Sequence, residues 1–373
     1  MSVVAREARR RWLVVGGAAL ALCLLPAAIA ALPAADRRTD PGQLRRLVLG
    51  SASKPFQGYV DSVARLGLPD LPGLGELGGL FGGSTRLRAW YAAPDAWRVA
   101  VLDATGERDI YRTATGTQVW DFERNQVTET VGETPIRLPW AADVLPPDLA
   151  RRLLTAAGDG EDSTAVTALP SRRVAGVRAA GLRLAPTDPD TTVARVDVWA
   201  DPATGLPLRV EVTGRGAETP VLTTRFLEVS QDRPDPGVLT PDWPSTAGYT
   251  IVSGAQVQSA IGTLPRVGLP PTLAGRDETP STVIGAAVYG TGSSAFVAVA
   301  LPGRYANRMI DAVRRAGAVP VPVTGGQAYS MTSSVLSMLI VRREGTRANR
   351  RTYLLAGLVT PDLLARAGAE LTR

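Results

Sequence analysis

Short alternating stretches of apolar and polar residues, broken by turn residues, fill the chain from residue 55 to residue 230. Glu107–Arg112, Thr117–Phe122 and Gln126–Thr130 follow one another closely, with Ala114-Thr115-Gly116 and Arg124-Asn125 between them. Branched and aromatic residues at period two, punctuated at this spacing, predict an antiparallel meander. A second hairpin joins Arg195–Ala200 to Leu206–Thr213 through Asp201-Pro202-Ala203-Thr204-Gly205. There Pro202 presets one backbone angle and Gly205 supplies a positive φ. Further strands are expected over 56–65, 85–91, 97–102, 176–185 and 221–229. One helix is expected at Pro147–Ala157, started by Pro146-Pro147 and carrying Leu149, Leu153 and Leu154 along a face. So many strands with so few helices predict a mainly β, α+β chain: a half-open antiparallel β-barrel with covering helices over residues 36–230.

The pattern changes after residue 230. Residues 231–281 contain Pro234, Pro236, Pro241, Pro244, Pro265, Pro270, Pro271 and Pro280, and read as a Pro-rich linker with a strand near Tyr249–Val252. Residues 282–373 predict a small α+β domain, with strands at Val283–Tyr289, Ala295–Leu301, Ser334–Val341 and Thr352–Val359. Tyr305, Met309, Ala312, Val313 and Ala316 fall on one helical face, and Pro361–Ala369 reads as a terminal helix.

At the other end, no charged residue occurs from Trp12 to Ala35, directly after Arg9-Arg10-Arg11. A helix needs about 20 apolar residues to cross a bilayer, and the basic flank belongs on the cytoplasmic side. Residues 1–35 are therefore either an uncleaved single-pass transmembrane anchor or a signal segment cleaved after Ala28-Ile29-Ala30. Both versions place everything after Asp36 outside the cytoplasm. Cys23 reads as an ordinary apolar position of that segment, because Leu20-Ala21-Leu22 puts a bulky residue where a lipoprotein signal wants a small one.

Composition narrows the chemistry. The chain has 373 residues, no histidine and one cysteine, so a histidine base, a His-rich metal site and an internal disulfide are excluded. Lys54 is the sole lysine, which leaves no good base for a serine nucleophile. No enzyme, cofactor or metal site is expected. Residues 1–35 carry half of the net charge of +6, Arg6, Arg9, Arg10 and Arg11 against Glu7, so no basic surface for nucleic acid remains. Gly106-Glu107-Arg108-Asp109 reads as a hairpin start with solvated charges, and Asp159-Gly160-Glu161-Asp162 as an acidic turn without the oxygen spacing of a calcium loop.

A binding role needs an apolar wall with an entrance. Trp97, Val99 and Val101 share one strand face; Gln118, Trp120 and Phe122 share another. Trp97, Val99, Trp120 and Phe122 are the candidates to line a cavity, and plain core packing of the same residues is the alternative. Leu68, Leu71, Leu74, Leu77 and Leu80 recur every third residue and end in Leu80-Phe81, amid Pro69, Pro72 and several glycines. This row predicts an extended or 3₁₀-like segment. Burying each leucine is worth about 1.5–3 kcal/mol, so the row is expected to fold over the barrel mouth as an apolar gate, to rest on membrane or partner, or to pack permanently on the domain.

Several of these runs resemble the periplasmic lipoprotein-carrier (LolA-like) superfamily, and in particular its sigma-factor-regulatory RseB/MucB branch in an actinobacterial form. The runs are Gly83–Tyr91, Pro94–Val99, Gly106–Arg112, Trp120-Asp121 and above all Val198-Trp-Ala-Asp-Pro-Ala-Thr-Gly-Leu-Pro-Leu208, with Ser294–Val297 and Tyr353–Gly357 in the small domain. The resemblance implies a half-open barrel whose inner face holds a lipid or an acylated protein under helices, and a C-terminal regulatory domain. It implies a binding protein with no enzymatic activity, membrane-tethered and extracytoplasmic. Such a protein relays to a membrane partner, an anti-sigma factor or an ABC transporter. The alternative is a regulator that binds an anti-sigma factor with no lipid ligand.

Overall fold

The computed structural model describes residues 39–67, 75–102, 106–132, 139–158, 164–253, 269–279, 286–345 and 350–373. The expected membrane segment at 12–35, Leu68, Leu71, Leu74 and the acidic turn at 159–162 lie outside these residues. Among the described residues no helix is long and apolar enough to cross a membrane.

Helix α1 (Pro41–Leu49) opens the described chain. The Asp40 carboxylate accepts the Gln43 amide at 2.6 Å and Pro41 occupies the first turn. It buries only Leu44 and Val48, too narrow a stripe to have been read from the sequence. There follow β1 (Phe56–Ala64), α2 (Gly75–Phe81), β2 (Ser84–Ala93), β3 (Ala96–Leu102), β4 (Glu107–Thr113), β5 (Gly116–Asp121) and β6 (Gln126–Val131). A 3₁₀ turn at Ala141–Val144 leads into α3 (Pro146–Ala156), then β7 (Thr164–Val174), β8 (Val177–Pro186), β9 (Val193–Ala200), β10 (Pro207–Gly214) and β11 (Leu222–Ser230). The residues expected to be a linker hold the short helix α4 (Pro236–Leu239) and strand β12 (Gly248–Ser253).

These twelve strands form one sheet in the order β12-β6-β5-β4-β3-β2-β1-β11-β10-β9-β8-β7. Every neighbouring pair is antiparallel except β12 with β6. The sheet ends at β12 and β7 and does not close, so the expected barrel is an open sheet. Strand β7 had no counterpart in the sequence reading, because its residues are mostly exposed and do not alternate.

One face of the sheet, called inner here, is the face the helices cover. Over β8, β9 and β10 it is filled: Leu44 and Val48 of α1 and Ala150 and Leu154 of α3 pack on Leu182, Leu184, Val196, Val198, Val210 and Val212. The β9–β10 hairpin turns at Asp201–Gly205, where Asp201 accepts the Ala203 amide and the Thr204 hydroxyl. Gly205 has φ +75°, and a Cβ there would stand 2.3 Å from the Leu47 carbonyl oxygen of α1.

The second sheet is built from β13 (Thr272–Leu273), β14 (Arg276–Thr279), β15 (Ala286–Tyr289), β16 (Phe296–Leu301), β17 (Val319–Val321), β18 (Gly326–Thr332), β19 (Ser337–Arg343) and β20 (Arg351–Gly357). Its order is β13-β14-β15-β16-β20-β19-β18-β17. Helix α5 (Gly303–Arg315) packs Ile310 and Val313 on Met338 and Ile340 of one face; α6 (Pro361–Thr372) packs Leu363, Leu364 and Ala367 on Leu339, Val341 and Leu355 of the other. Of the expected stripe on α5, Ala312 and Val313 are buried and Met309 packs beside them, whereas Tyr305 and Ala316 are exposed and Ala306 and Ile310 complete the buried side. Period fitted both stripes, and burial of the branched Ile310 selected one.

The β8–β9 loop joins the two sheets. The Thr191 hydroxyl donates to the carbonyls of Ser293 and Leu358 at 2.8 and 3.0 Å, and the Thr192 hydroxyl donates to the Val335 carbonyl. Arg276 bridges Asp188 and Asp190 at 3.0 and 3.1 Å, and Arg366 also reaches Asp190. Val335 itself belongs to the core of the first sheet. Burial works against the Asp188 charge, but the Ser294 hydroxyl, the Asp190 amide and Arg276 outweigh it and hold this carboxyl below its ordinary range.

Gly205→Ala is expected to cost about 2 kcal/mol or more in urea unfolding, since it adds a backbone clash to left-handed strain. Gly216→Ala, also at φ +75° but with open space around it, should cost only about 1–2 kcal/mol of strain. Equal losses would refute the close approach to α1. An unfolded aspartate titrates near 3.9. Asp188 lies lower when folded, so its contribution is complete above that pH and fades only as pH falls through the folded value. Asp188→Asn should therefore lower the urea midpoint equally at pH 7 and pH 5, and less at pH 3.

Candidate functional site

Pairing register decides which side chains meet on the inner face over β2–β6. Trp97 lies opposite Tyr91 and Arg112; Val99 lies opposite Ala89 and Ile110. Across the next pair Arg112 faces Thr117 and Ile110 faces Val119. These residues share the face of Val60 and Leu87, beneath Ala141, Ala142 and Val144 of the 3₁₀ turn. Trp97 and Val99 thus lie on the inner face, where Trp97 borders a compartment and Val99, fully buried, follows the core-packing alternative.

Trp120 and Phe122 do not. Trp120 lies opposite Asp109, which lies opposite Ala100, all on the outer face. Phe122 follows β5, meets Trp120 edge-on at 5.7 Å between centroids, and is 59% exposed. A three-residue turn at Ala114-Thr115-Gly116 would set Ile110 opposite Trp120. The structure has a two-residue turn, with Thr113 opposite Gly116, and one residue of difference exchanges the faces. Turn length is the signal that would have found this.

Among the described residues, the inner face over β3–β5 is not filled like its other half. A compartment of about 360 Å³ has a mixed lining: Leu80, Val101, Ile110, Val119 and Trp140 are its apolar part, and Ser84, Thr85 and Arg108 its polar part. Arg108 reaches the Asp121 carboxylate at 3.4 Å. That carboxyl is opposed by burial but held below its ordinary range by the Arg124 amide and the Arg108 and Arg124 guanidiniums. A second compartment of about 460 Å³ is polar and is lined by Trp97, Arg112, Thr117, Trp140, Asp143, Asp148, Arg151 and Arg152. Here Arg151 pairs with Asp148 at 2.6 Å and Arg152 with Asp143 at 2.7 Å, and Arg112 donates to the Thr117 hydroxyl at 3.2 Å. Burial pushes the Asp148 carboxyl up, and Arg151 pulls it back only in part. Tyr91 closes the floor; its buried hydroxyl donates to the Ala52 carbonyl at 2.6 Å, and burial raises its pKa to about 12.

Of the leucine row, Leu71 and Leu74 lie outside the described residues. Leu77 falls within α2, and Leu80 is buried against the 360 Å³ compartment. Phe81 is half-buried and touches the cores of both halves of the sheet. The expectation of an extended or 3₁₀ segment is corrected for Gly75–Phe81, which is α-helical; Leu77, Leu80 and Phe81 sit at the three- and four-residue spacing of a helix face.

The outer face carries a cluster that the sequence reading missed. Arg98 lies between the rings of Trp90 and Tyr111, 4.8 and 5.2 Å from their centroids, and binds Asp109 through two bonds of 2.9 Å. Asp109 was expected to be solvated, yet it is 1% exposed. Its burial follows from its pairing between Ala100 and Trp120. Burial, with Asp109 and Glu107, raises the Tyr111 hydroxyl to about 12. Among the described residues no group of side chains could hold a metal ion.

No family model matches the chain, and no curated protein matches it. Among solved structures it is similar to MucB in complex with MucA(peri), with TM-score 0.49 and 16% identity over 88% of this chain and 97% of that one. It is also similar to the Pseudomonas aeruginosa MucA/MucB complex, at 0.48 and 16% over 88% and 96%. A LolA superfamily protein from Nitrosomonas europaea matches at 0.25 and 14%, over 55% of this chain and 99% of that one.

Arg98→Ala should cost about 3 kcal/mol or more in urea unfolding, because it leaves Asp109 charged, buried and unpaired. The double variant Arg98→Ala/Asp109→Ala should recover part of that loss. A double variant no more stable than Arg98→Ala would show that the aromatic stacking, and not the carboxylate, makes Arg98 important.

Proposed function

We propose that this chain is a membrane-tethered, extracytoplasmic binding protein that holds or senses a lipid or acylated ligand on the inner face of its large sheet and relays the occupancy to a membrane partner. One observation carries the reading. Helices α1 and α3 fill the inner face over β8–β10, whereas over β3–β5 the apolar wall of Val101, Ile110 and Val119 borders a hollow of about 360 Å³. That volume is at the small end of the about 300–1,000 Å³ of ligand pockets and suits one acyl chain. The uncharged run from Trp12 to Ala35 supports tethering and export, through an anchor or a signal segment. A chain with no histidine and one lysine supports binding in place of catalysis. In this reading the small domain, joined to the large sheet through Thr191, Thr192 and Val335, is the part that passes the state on, to an anti-sigma factor or to a transporter.

The polar compartment favours a second reading. Its paired Arg151, Asp148, Arg152 and Asp143 suit an extended polypeptide such as the exported segment of an anti-sigma factor, seated with no lipid.

Binding of a naturally fluorescent polyene fatty acid to the full chain separates the two. The wild type should bind it, Val119→Trp should lose about tenfold or more in affinity by filling the hollow, and Phe122→Ala on the outer face should match the wild type. Absence of binding by the wild type, or equal binding by Val119→Trp, would remove the acyl-chain reading and leave the polypeptide one.

A further inference from the structure

Beyond residue 35 the charge of the chain is not spread evenly. Residues 282–373 hold eleven arginines against Asp311, Glu344, Asp362 and Glu370, a net +7. With +3 in residues 1–35, the whole-chain +6 leaves −4 for residues 36–281. The small domain is a basic body joined to an acidic one.

The two bodies also use their arginines differently. In the large sheet Arg98, Arg108, Arg183, Arg209 and Arg225 each meet a carboxylate at 2.5–3.5 Å. In the small domain no ion pair among the described residues joins Arg308, Arg315, Arg342 or Arg350 to a carboxylate. These four lie together on one side. Helix α5 turns Ile310 and Val313 onto the sheet, and its other side presents Tyr305, Arg308, Asp311 and Arg315, all exposed, at the three- and four-residue steps of a helix. Arg342, at the end of β19, donates to the Asn307 side-chain carbonyl at 2.7 Å and so brings that strand end against the first half of α5.

Next to it the strand ends crowd like charges. Burial, with the neighbouring Arg350 guanidinium, holds the pKa of Arg342 below the ordinary arginine range, and Asp311 and Tyr329 offset only part of this. Arg343 stands directly opposite Arg351 across the β19–β20 pair, an arrangement that destabilises a sheet. Arginines gathered at a cost to the fold, three of the first four exposed to solvent, are a surface whose counter-charge comes from outside the chain.

We infer that the α5 side of the small domain, with the adjoining ends of β19 and β20, is a docking face for an anionic phospholipid surface. The contact is peripheral: the apolar side of α5 is spent on the sheet, so the arginines meet headgroup phosphates and nothing enters the hydrocarbon. A basic helix lying flat with an exposed tyrosine beside its arginines suits a headgroup layer, and each arginine at such a layer strengthens docking about fivefold. The uncharged run from Trp12 to Ala35 keeps a membrane within reach. From the function proposed above the docking face takes only that nearby membrane, and it needs no ligand on the large sheet.

The test uses the full chain in nanodiscs of phosphatidylcholine, with and without phosphatidylglycerol. A donor dye on Ala316→Cys, at the exposed end of α5 and in a Cys23→Ser background, transfers energy to an acceptor on the lipid headgroups. Transfer should be stronger on the anionic discs, and molar salt should abolish the gain. Arg308→Gln/Arg350→Gln should lower the docked-to-free ratio about twentyfold. Arg308→Lys/Arg350→Lys keeps the charge and should match the wild type, as should Arg46→Gln, which removes an exposed arginine of α1 in the large domain. If the glutamine pair fails to fold by circular dichroism, Arg350→Gln replaces it, with a loss of about fivefold expected. Equal transfer on both kinds of disc, or a gain that the glutamine variant keeps, overturns the docking face. Binding of polyglutamate that depends on the same arginines, with transfer indifferent to lipid charge, overturns it as well and assigns the face to an acidic polypeptide. Failure of the proposed function shows elsewhere: a chain that does not co-migrate with neutral discs has no tether, and one that binds no fatty acid has no acyl ligand, while an arginine-dependent gain on anionic discs stands in both cases.

Discussion

A sheet whose two faces meet different surroundings must sort its side chains by parity, and the candidate site of this protein follows from how that parity is set. Side chains alternate faces at each residue, so a one-residue change in pairing moves a whole strand's apolar set from helix side to outer side. The two-residue turn between Thr113 and Gly116 places Ile110 and Val119 beneath the helices and sends Asp109 and Trp120 outward. With that register the inner face gains an apolar wall, and the outer face gains a carboxylate that needs a buried partner. Arg98 supplies it, stacked between Trp90 and Tyr111. Removing a charge from such a pair is costly because the other stays buried without compensation.

The same sheet is treated differently along its length. Over β8–β10 two helices meet the inner face with small and branched side chains, and the space closes, as a packed interior requires. Over β3–β5 the cover among the described residues is a short 3₁₀ turn with two alanines, Trp140 before it, and the end of α2 with Leu80. Ala141 and Ala142 belong to the same cluster as Ile110, but their small side chains leave a hollow beside Val101, Ile110 and Val119. The inner positions of β4 distribute between the two compartments, Arg108 and Ile110 in one and Arg112 in the other.

The small domain is not an appendage on a free linker. Strands β12 and β13–β14, both from the stretch between residues 231 and 281, join the first and second sheet respectively. The Thr191–Thr192 corner ties the sheets through main-chain carbonyls, and Val335 extends the core of one into the other. The Leu66 carbonyl, at the start of the leucine segment, accepts the Ser334 amide of the small domain at 3.4 Å, which places the two within one contact of each other.

Much of the secondary structure was legible in the sequence. Glu107–Arg112, Arg195–Ala200 and Leu206–Thr213 alternate strictly enough to be strands, Pro146-Pro147 marks a helix start, and the absence of histidine removes whole classes of chemistry. These are properties of a residue and its near neighbours, and local periodicity carries them. What lay beyond it were α1 with its two buried residues, the exposed strand β7, the phase of α5, the outward placement of Trp120 and Phe122, and Trp140 as a wall shared by two compartments. Each depends on which distant segment covers which face. Trp97 and Trp120 are alike as residues on alternating strands. Only the pairing of β3, β4 and β5, and the 3₁₀ turn some twenty or more residues further along the chain, makes one of them part of a site and leaves the other outside it.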